Sequence, residues 1–242
     1  MLKTKYKNIF DHQDSYWWYK GMAAINILLL KKYLPKKNNL KILDIGCGTG
    51  AALLYLSDFG DVIGVDKSDE ALKFAKTRGK VMKGDIASLP FKDDTFDLVV
   101  CLDVLYHEWV HTKKAFLEIK RVVKPGGIVL IREPAFDWFR SSEDIASQTK
   151  HRFTTNELKR ELMQSFDIVK LTYINFFLFP IAFLKRLPEI IGIKKKKGIS
   201  DASSISPVCN NILFYIFLTE PMVLNYINFP FGTSALCVAR KK

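Results

Sequence analysis

Leu40-Lys41-Ile42-Leu43-Asp44-Ile45-Gly46-Cys47-Gly48-Thr49-Gly50 is the stretch whose reading decides the fold. Its first six residues make a short apolar run with β character. The next five place glycine at every second position. Glycine lets a backbone turn tightly and lets a ligand approach the main chain closely. Ala51 to Ser57 then has helical composition, so the stretch predicts strand, glycine turn and helix. Asp61-Val62-Ile63-Gly64-Val65-Asp66 predicts a second strand that ends on a carboxylate. An acidic group about 20 residues beyond a glycine loop can accept hydrogen bonds from ribose hydroxyls.

The rhythm continues outward. Ser68 to Arg78 reads as a helix with Asp69 and Glu70 at its positive end and Gly79 as its stop. Lys80 to Lys83 is a short strand leading to Gly84-Asp85. Phe96 to Leu102 is a buried strand, and Thr112 to Val123 a helix closed by Lys124-Pro125-Gly126-Gly127. Ile128 to Ile131 is the next strand. Thr154 to Glu157 fits a capping box that opens a helix to about Ser165. Asp167 to Tyr173 and Ser234 to Ala239 are late strands. Such alternation predicts an α/β fold with a mostly parallel sheet and helices on both faces. Ligands in such sheets bind beyond the carboxyl ends of the strands, at the topological switch point.

Gly46-x-Gly48-x-x-Ala51 also satisfies the permissive form of a nicotinamide-binding loop. Asp44 before the first glycine, Gly50 as a third glycine and the carboxylate of Gly84-Asp85-Ile86 tilt away from it. With Val65-Asp66, Leu89-Pro90-Phe91, Phe96-Asp97-Leu98-Val99 and Arg121-Val122-Val123-Lys124-Pro125-Gly126-Gly127 in order, the chain resembles class I S-adenosylmethionine-dependent methyltransferases of the type 11 kind. The likeness covers roughly residues 38–173 and the final strand.

That resemblance implies a Rossmann-like sheet of seven strands with the last strand antiparallel. It also implies S-adenosylmethionine as cofactor. Asp44 and the loop Gly46, Cys47, Gly48 and Gly50 would pass under its methionine portion. Asp66 would take the ribose hydroxyls, with Lys67 beside it reaching into solvent. Asp85 would accept from the adenine amino group, with Ile86 packing on the ring or donating its backbone N–H. Cys101 and Leu102 would face the methionyl part.

His107-Glu108-Trp109-Val110-His111 matches the HExxH zinc pattern, which requires both imidazoles on one helical face. Here the motif follows a strand and a turn, so no metal site is expected. His107 is instead a candidate general base near the transferred methyl, since imidazole accepts protons at neutral pH. His151, Tyr106 and Glu133 are further candidates for substrate contact.

The chain has 242 residues and a net charge of +12, with 48% hydrophobic residues, which excludes a disordered protein. The excess sits wholly at the two ends. Residues 1–37 and 174–242 each carry net +6, while 38–173 is neutral. This divides the chain into an N-terminal helical cap (1–37), a cofactor-binding domain (38–173 plus 233–242) and a helical insertion or substrate lid (174–232). Met22 to Tyr33 is an apolar helix, and Trp17-Trp18-Tyr19 before it could line a lid. Ten of the 59 inserted residues are Phe or Tyr, and Lys194 to Lys197 lie among them.

An aromatic lid over the domain is the expectation. Peripheral membrane contact through 174–197 is the other arrangement. The four scattered cysteines fit a reducing, cytoplasmic setting, and neither a signal peptide nor a spanning run of about 18 apolar residues is recognised. The expected activity is methyl transfer to a small-molecule, sugar or lipid-linked acceptor, at oxygen. A nucleic-acid methyltransferase is the alternative. It lacks support after the fourth strand, where Cys101-Leu102-Asp103-Val104-Leu105-Tyr106-His107 replaces the Asn/Asp-Pro-Pro-Tyr pattern of base methylation. A catalytically silent cofactor-binding module at a membrane is the third reading.

Overall fold

The computed structural model describes residues 3–37, 39–192 and 205–242. Two helices come first, α1 (Lys3–His12) and α2 (Trp17–Tyr33), followed by β1 (Leu40–Ile45), α3 (Ala51–Leu56), β2 (Gly60–Asp66), α4 (Asp69–Ala75) and β3 (Lys80–Lys83). Then come β4 (Phe96–Leu102), α5 (Thr112–Val122), β5 (Val123–Pro134), α6 (Ser142–Ser147) and α7 (Thr155–Leu162). The chain ends with β6 (Phe166–Ile174), α8 (Phe179–Ile190), α9 (Pro207–Leu224) and β7 (Ser234–Lys241). Lys194 to Lys197 lie outside the described residues.

The seven strands form one sheet in the order β3-β2-β1-β4-β5-β7-β6. β1 pairs in parallel with β2 and β4, while β7 runs antiparallel between β5 and β6. Both the strand count and the antiparallel last strand match the expectation. β5 is longer than Ile128 to Ile131 at both ends. Phe96 pairs with Val123 and Leu98 with Ile128, so the Lys124–Gly127 turn is accommodated as an irregularity inside the pairing.

Strand side chains alternate between faces. Leu98 and Val100 join Ile42, Ile128 and Leu130 on one face, beneath Met22, Ile25 and Leu29 of α2 and Phe217 of α9. Val99 and Cys101 join Leu43, Val129 and Ile131 on the other, beneath Phe116 and Ile119 of α5 and Leu158 of α7. A sheet covered on both faces accounts for strands that read as nearly continuous apolar runs.

Two features of the ends depart from the reading of the sequence. Trp17, Trp18 and Tyr19 belong to α2 itself, and an unanticipated α1 precedes it. α1 packs on α4 through Phe10 and Phe74, whose ring centroids are 4.9 Å apart, while Arg78 pairs with Asp14 at 2.5 Å. α2 begins without a side-chain cap of its own. Its first N–H, on Trp17, instead donates to Asn210 Oδ1 of α9 at 2.8 Å.

α2 and α9 meet most closely at Gly21, where a Cβ would lie 2.1 Å from Cδ1 of the fully buried Phe217. Gly21→Ala therefore drives the Phe217 ring out of its seat. Overpacking of this kind costs about 1–3 kcal/mol. Thermal or urea unfolding of the purified variant is expected to show that loss, and an unchanged midpoint would contradict the close approach.

Candidate active site

β1 and β4 are neighbours in the sheet, but the chain leaves β1 toward β2 on one side and leaves β4 toward β5 on the other. The loops after them therefore part at the carboxyl edge, and a cavity of about 690 Å³ opens there. Asp44, Gly46, Cys47, Gly48, Asp66, Lys67, Asp85, Ile86, Leu102 and His107 all line it. The structure thus brings most of the sequence-derived site residues to one place.

The glycine loop is held from below. The N–H groups of Gly46 and Cys47 both donate to Val65 O, at 2.7 and 3.0 Å. Gly46 has φ +68°, and a Cβ there would meet Val104 Cγ2 at 2.3 Å. Gly48 has φ +54° and nothing nearer to its Cβ direction than 3.9 Å, so its bare backbone faces open space. The Gly48 N–H donates to Asp66 Oδ2 at 2.9 Å, and the Ser68 N–H to Asp66 Oδ1 at 2.8 Å. A carboxylate has about four lone-pair sites. Asp66 is thus oriented by the loop yet keeps acceptor capacity for two hydroxyls. Burial raises its pKa, against those backbone hydrogen bonds.

Asp44 is buried, and its Oδ2 has no hydrogen-bond partner. Burial, then the nearby Asp66 charge, push its pKa up to about 8. A buried orphan acceptor that lines a cavity fits a ligand's hydroxyl or ammonium group. Lys67 does not simply reach into solvent. Its Nζ lies 2.9 Å from Asp85 Oδ2, while Asp85 Oδ1 accepts from the Ala87 N–H at 2.9 Å. Together the bare Gly48 backbone, the spare acceptors on Asp66 and the orphan oxygen of Asp44 fit the donors and extended shape of S-adenosylmethionine.

Three expected contacts need correction. Cys101 is fully buried in the core beneath α5, because the strand's alternation sends it to the face opposite Leu102; only Leu102 lines the cavity. Gly50 is absent from the lining. It sits at the start of α3 with φ +87°, where a Cβ would come 3.1 Å from Ala75 Cα, so it serves helix packing. The Cys47 side chain packs with Leu53, Leu72 and Ala75, and burial pushes its thiol well above the usual range.

Glu133 and His151 also stand away from the cavity. Glu133 is fully buried, and its carboxylate accepts the N–H groups of Val104, Leu105 and Tyr106 at 3.1, 2.8 and 3.2 Å. It therefore pins the loop after β4 and touches no substrate. Burial and the Asp103 charge push its pKa up to about 8, against those three N–H groups. His151 lies between Asp137 and Glu157, at 2.6 and 3.0 Å.

The residue next to Glu133, missed at the sequence level, completes the clamp. Arg132 pairs with Asp103 and lies 5.6 Å from the Trp18 ring. Adjacent strand residues point to opposite faces, so Arg132 and Glu133 hold the same loop from its two sides. The only signal available was a charged Arg-Glu pair at the end of an apolar strand.

His107 to Val110 form a turn, and His111 precedes the first turn of α5, so the HExxH residues share no helical face. His107 Nδ1 lies 2.8 Å from Ser147 O. A carbonyl only accepts, so Nδ1 carries the proton and Nε2 is left as the acceptor. The ring lies between Tyr106 and Trp109, with centroids 3.9 and 4.0 Å away. Burial pulls its pKa down to about 4, so the imidazole is neutral at physiological pH.

Two predictions follow from these contacts. Glu133→Gln sets an NH₂ group against backbone N–H donors, and leaving such a donor unsatisfied costs about 1–3 kcal/mol. Chemical denaturation is expected to show this loss. Asp44 is largely protonated in the free protein at pH 7, because its pKa is about 8. A cationic ligand group pairing with it favours the ionised form and expels the proton. Affinity for S-adenosylhomocysteine should therefore rise with pH, by up to about tenfold per unit, and level off above about 8. Calorimetry at several pH values is expected to show this rise in wild type and a flat profile in Asp44→Asn. A flat wild-type profile would contradict the pairing.

Residues 43–131 match the family model of a methyltransferase domain. A protein of Methanocaldococcus jannaschii is 44% identical over 104 residues, covering 43% of this chain and 44% of its own length. The sterol 24-C-methyltransferase of Schizosaccharomyces pombe is 30% identical over 151 residues, covering 56% of this chain and 39% of its own length. The chain thus spans less than half the length of these curated relatives. A solved S-adenosylmethionine-dependent methyltransferase of Thermotoga maritima shares the fold, with a TM-score of 0.62 at 19% identity over 99% of this chain and 95% of that one. The match runs from within β1 to within β5, the span that builds the glycine loop and its acidic partners, and over that span the chain is similar to the methyltransferase domain of class I S-adenosylmethionine-dependent methyltransferases.

Proposed function

We propose that the protein transfers a methyl group from S-adenosylmethionine to oxygen of a small-molecule, sugar or lipid-linked acceptor. The observation that carries this reading is the convergence of Asp44, the Gly46–Gly48 backbone, Asp66 and Asp85 on one cavity at the switch point. When bound, S-adenosylmethionine supplies an electrophilic methyl group on a sulfonium. Asp66 accepts from the ribose hydroxyls, Asp85 from the adenine amino group, and Ile86 packs on the ring. Asp44 meets the polar end of the methionine portion, next to Leu102.

Most of the acceptor's wall lies outside the matched residues 43–131. Trp17, Trp18 and Tyr19 of α2, Ile181 of α8 and Leu213 of α9 supply it, together with Tyr106 and His107. The insertion 174–232 therefore acts as the acceptor wall. The aromatic side chains of α2 and the apolar Leu178, Ile181 and Leu213 of the insertion support a small or lipid-linked acceptor over a nucleic acid. Arg132 and Arg152, which also line the cavity, already pair with Asp103 and Asp144. His107 offers Nε2 to the acceptor hydroxyl. With a pKa near 4 it orients that hydroxyl and relays its proton only in passing. Alignment and exclusion of water then carry most of the rate enhancement.

Calorimetric titration with S-adenosylhomocysteine tests the cofactor assignment. Micromolar binding by wild type, weakened at least about 100-fold in Asp66→Ala, is expected for a ligand hydrogen-bonded through two hydroxyls (about 3 kcal/mol). Incubation with methyl-tritiated S-adenosylmethionine should then label a lipid or small-molecule extract and leave RNA unlabelled. Absence of binding, or label confined to RNA, would overturn the reading.

A further inference from the structure

α9 is built with its polarity inverted for a helix in water. It has a single charged residue, Glu220, and that residue is fully buried. The Glu220 carboxylate accepts the N–H groups of Asn175 and Phe176 at the end of β6, at 2.5 and 2.8 Å. Asn210 likewise turns inward, accepting from the Trp17 N–H and donating to Ser15 O. Apolar groups point the other way. Val208, Ile212, Tyr215 and Met222 are 68%, 53%, 67% and 70% exposed, and Tyr226 just beyond reaches 89%.

α8 extends the same surface. None of its residues is buried, and Leu184 and, just past its end, Ile191 are exposed. The exposed Trp138 lies beside it, 6.3 and 6.2 Å from the Phe179 and Phe183 rings. Soluble chains rarely leave so continuous an apolar surface without an occupant.

Length and composition alone would let α9 cross a membrane. Its attachments place it along the domain instead. Asn210 ties its first turn to α2, Phe217 seats its middle under Gly21, Glu220 holds β6, and Lys32 Nζ donates to Asn225 O at 2.9 Å just after its end. A helix held flat, with apolar side chains outward, has the geometry of an interfacial element.

Charge selects the occupant. Lys20 Nζ sits 4.0 Å from the Phe214 ring centroid, and Lys32 stands at the far end of α9. Residues 174–242 hold only three acidic groups, of which Glu220 is buried and Glu189 accepts from Ser142. A second copy of a chain with net charge +12 would meet like charge at this face. An anionic lipid surface meets both the apolar groups and the cations.

We propose that the outer face of α8 and α9 docks on an anionic bilayer, with α9 lying in the plane of the interface. Ile181 and Leu213, on these same helices, line the cavity. On the methyltransferase reading, a lipid-linked acceptor reaches the cavity from the bilayer without crossing water.

The test is co-sedimentation of the full chain with vesicles of phosphatidylcholine, alone or with about a third phosphatidylglycerol. The triple variant Ile212→Ser, Tyr215→Ser and Met222→Ser changes only exposed residues outside the cavity lining. Wild type should partition to the anionic vesicles, and the variant should lose at least about tenfold of that partitioning. Titration with S-adenosylhomocysteine, run on both proteins, reports folding and the cofactor reading separately from docking. Wild type that stays in the supernatant, or a variant that partitions equally, would overturn the proposal. So would a dimer in sedimentation velocity that the variant abolishes, combined with no vesicle binding, since a second copy would then cover the face.

Discussion

A parallel sheet must end all its strands on one edge, and here the strand order reverses between β1 and β4. The chain leaving β1 and the chain leaving β4 are carried apart, so no connection covers the gap. Everything that reads as functional depends on that gap. The glycine loop borders it because it follows β1, Asp66 because it ends β2, Asp85 because it follows β3, and Leu102 because it ends β4.

The gap keeps its shape only if the loops around it are fixed. Backbone groups do most of this. Val65 O accepts two N–H groups of the glycine loop, and Asp66 accepts a third, from Gly48. On the far side, one buried carboxylate, Glu133, takes three consecutive N–H groups of the loop after β4. Asp103, with φ +58°, is held in the left-handed region by Arg132 and by its own N–H bond to Arg132 O. A site whose donors and acceptors are already oriented loses little on binding to reorganisation. The groups left unsatisfied, above all Asp44 Oδ2, mark where a ligand belongs.

What was legible in the sequence follows the same division. The alternation of short apolar runs with capped helices, and the glycine loop with acidic residues after successive strands, are local patterns, so the succession of strands and helices and the cofactor side could be read. Face assignment at a strand end could not. Cys101 and Leu102 differ by one residue but by a whole side of the sheet. Glu133 looked like a substrate contact, because a sequence does not show which backbone N–H groups an acid will meet.

The ends were the least legible. α2 is capped by Asn210 from 193 residues away, and α9 hides its polar groups inward against partners that are distant in sequence. Composition there showed an aromatic segment and an excess of charge, but not which side would face outward.

The central claim is that this cavity holds S-adenosylmethionine at the β1/β4 switch point. A crystal structure of the full chain grown with S-adenosylhomocysteine tests it most directly. The ribose hydroxyls are expected on Asp66, the adenine between Asp85 and Ile86, and the amino-acid end over Gly46–Gly48 within reach of Asp44. Ligand density elsewhere, or Asp44 Oδ2 still without a partner in the complex, would contradict it.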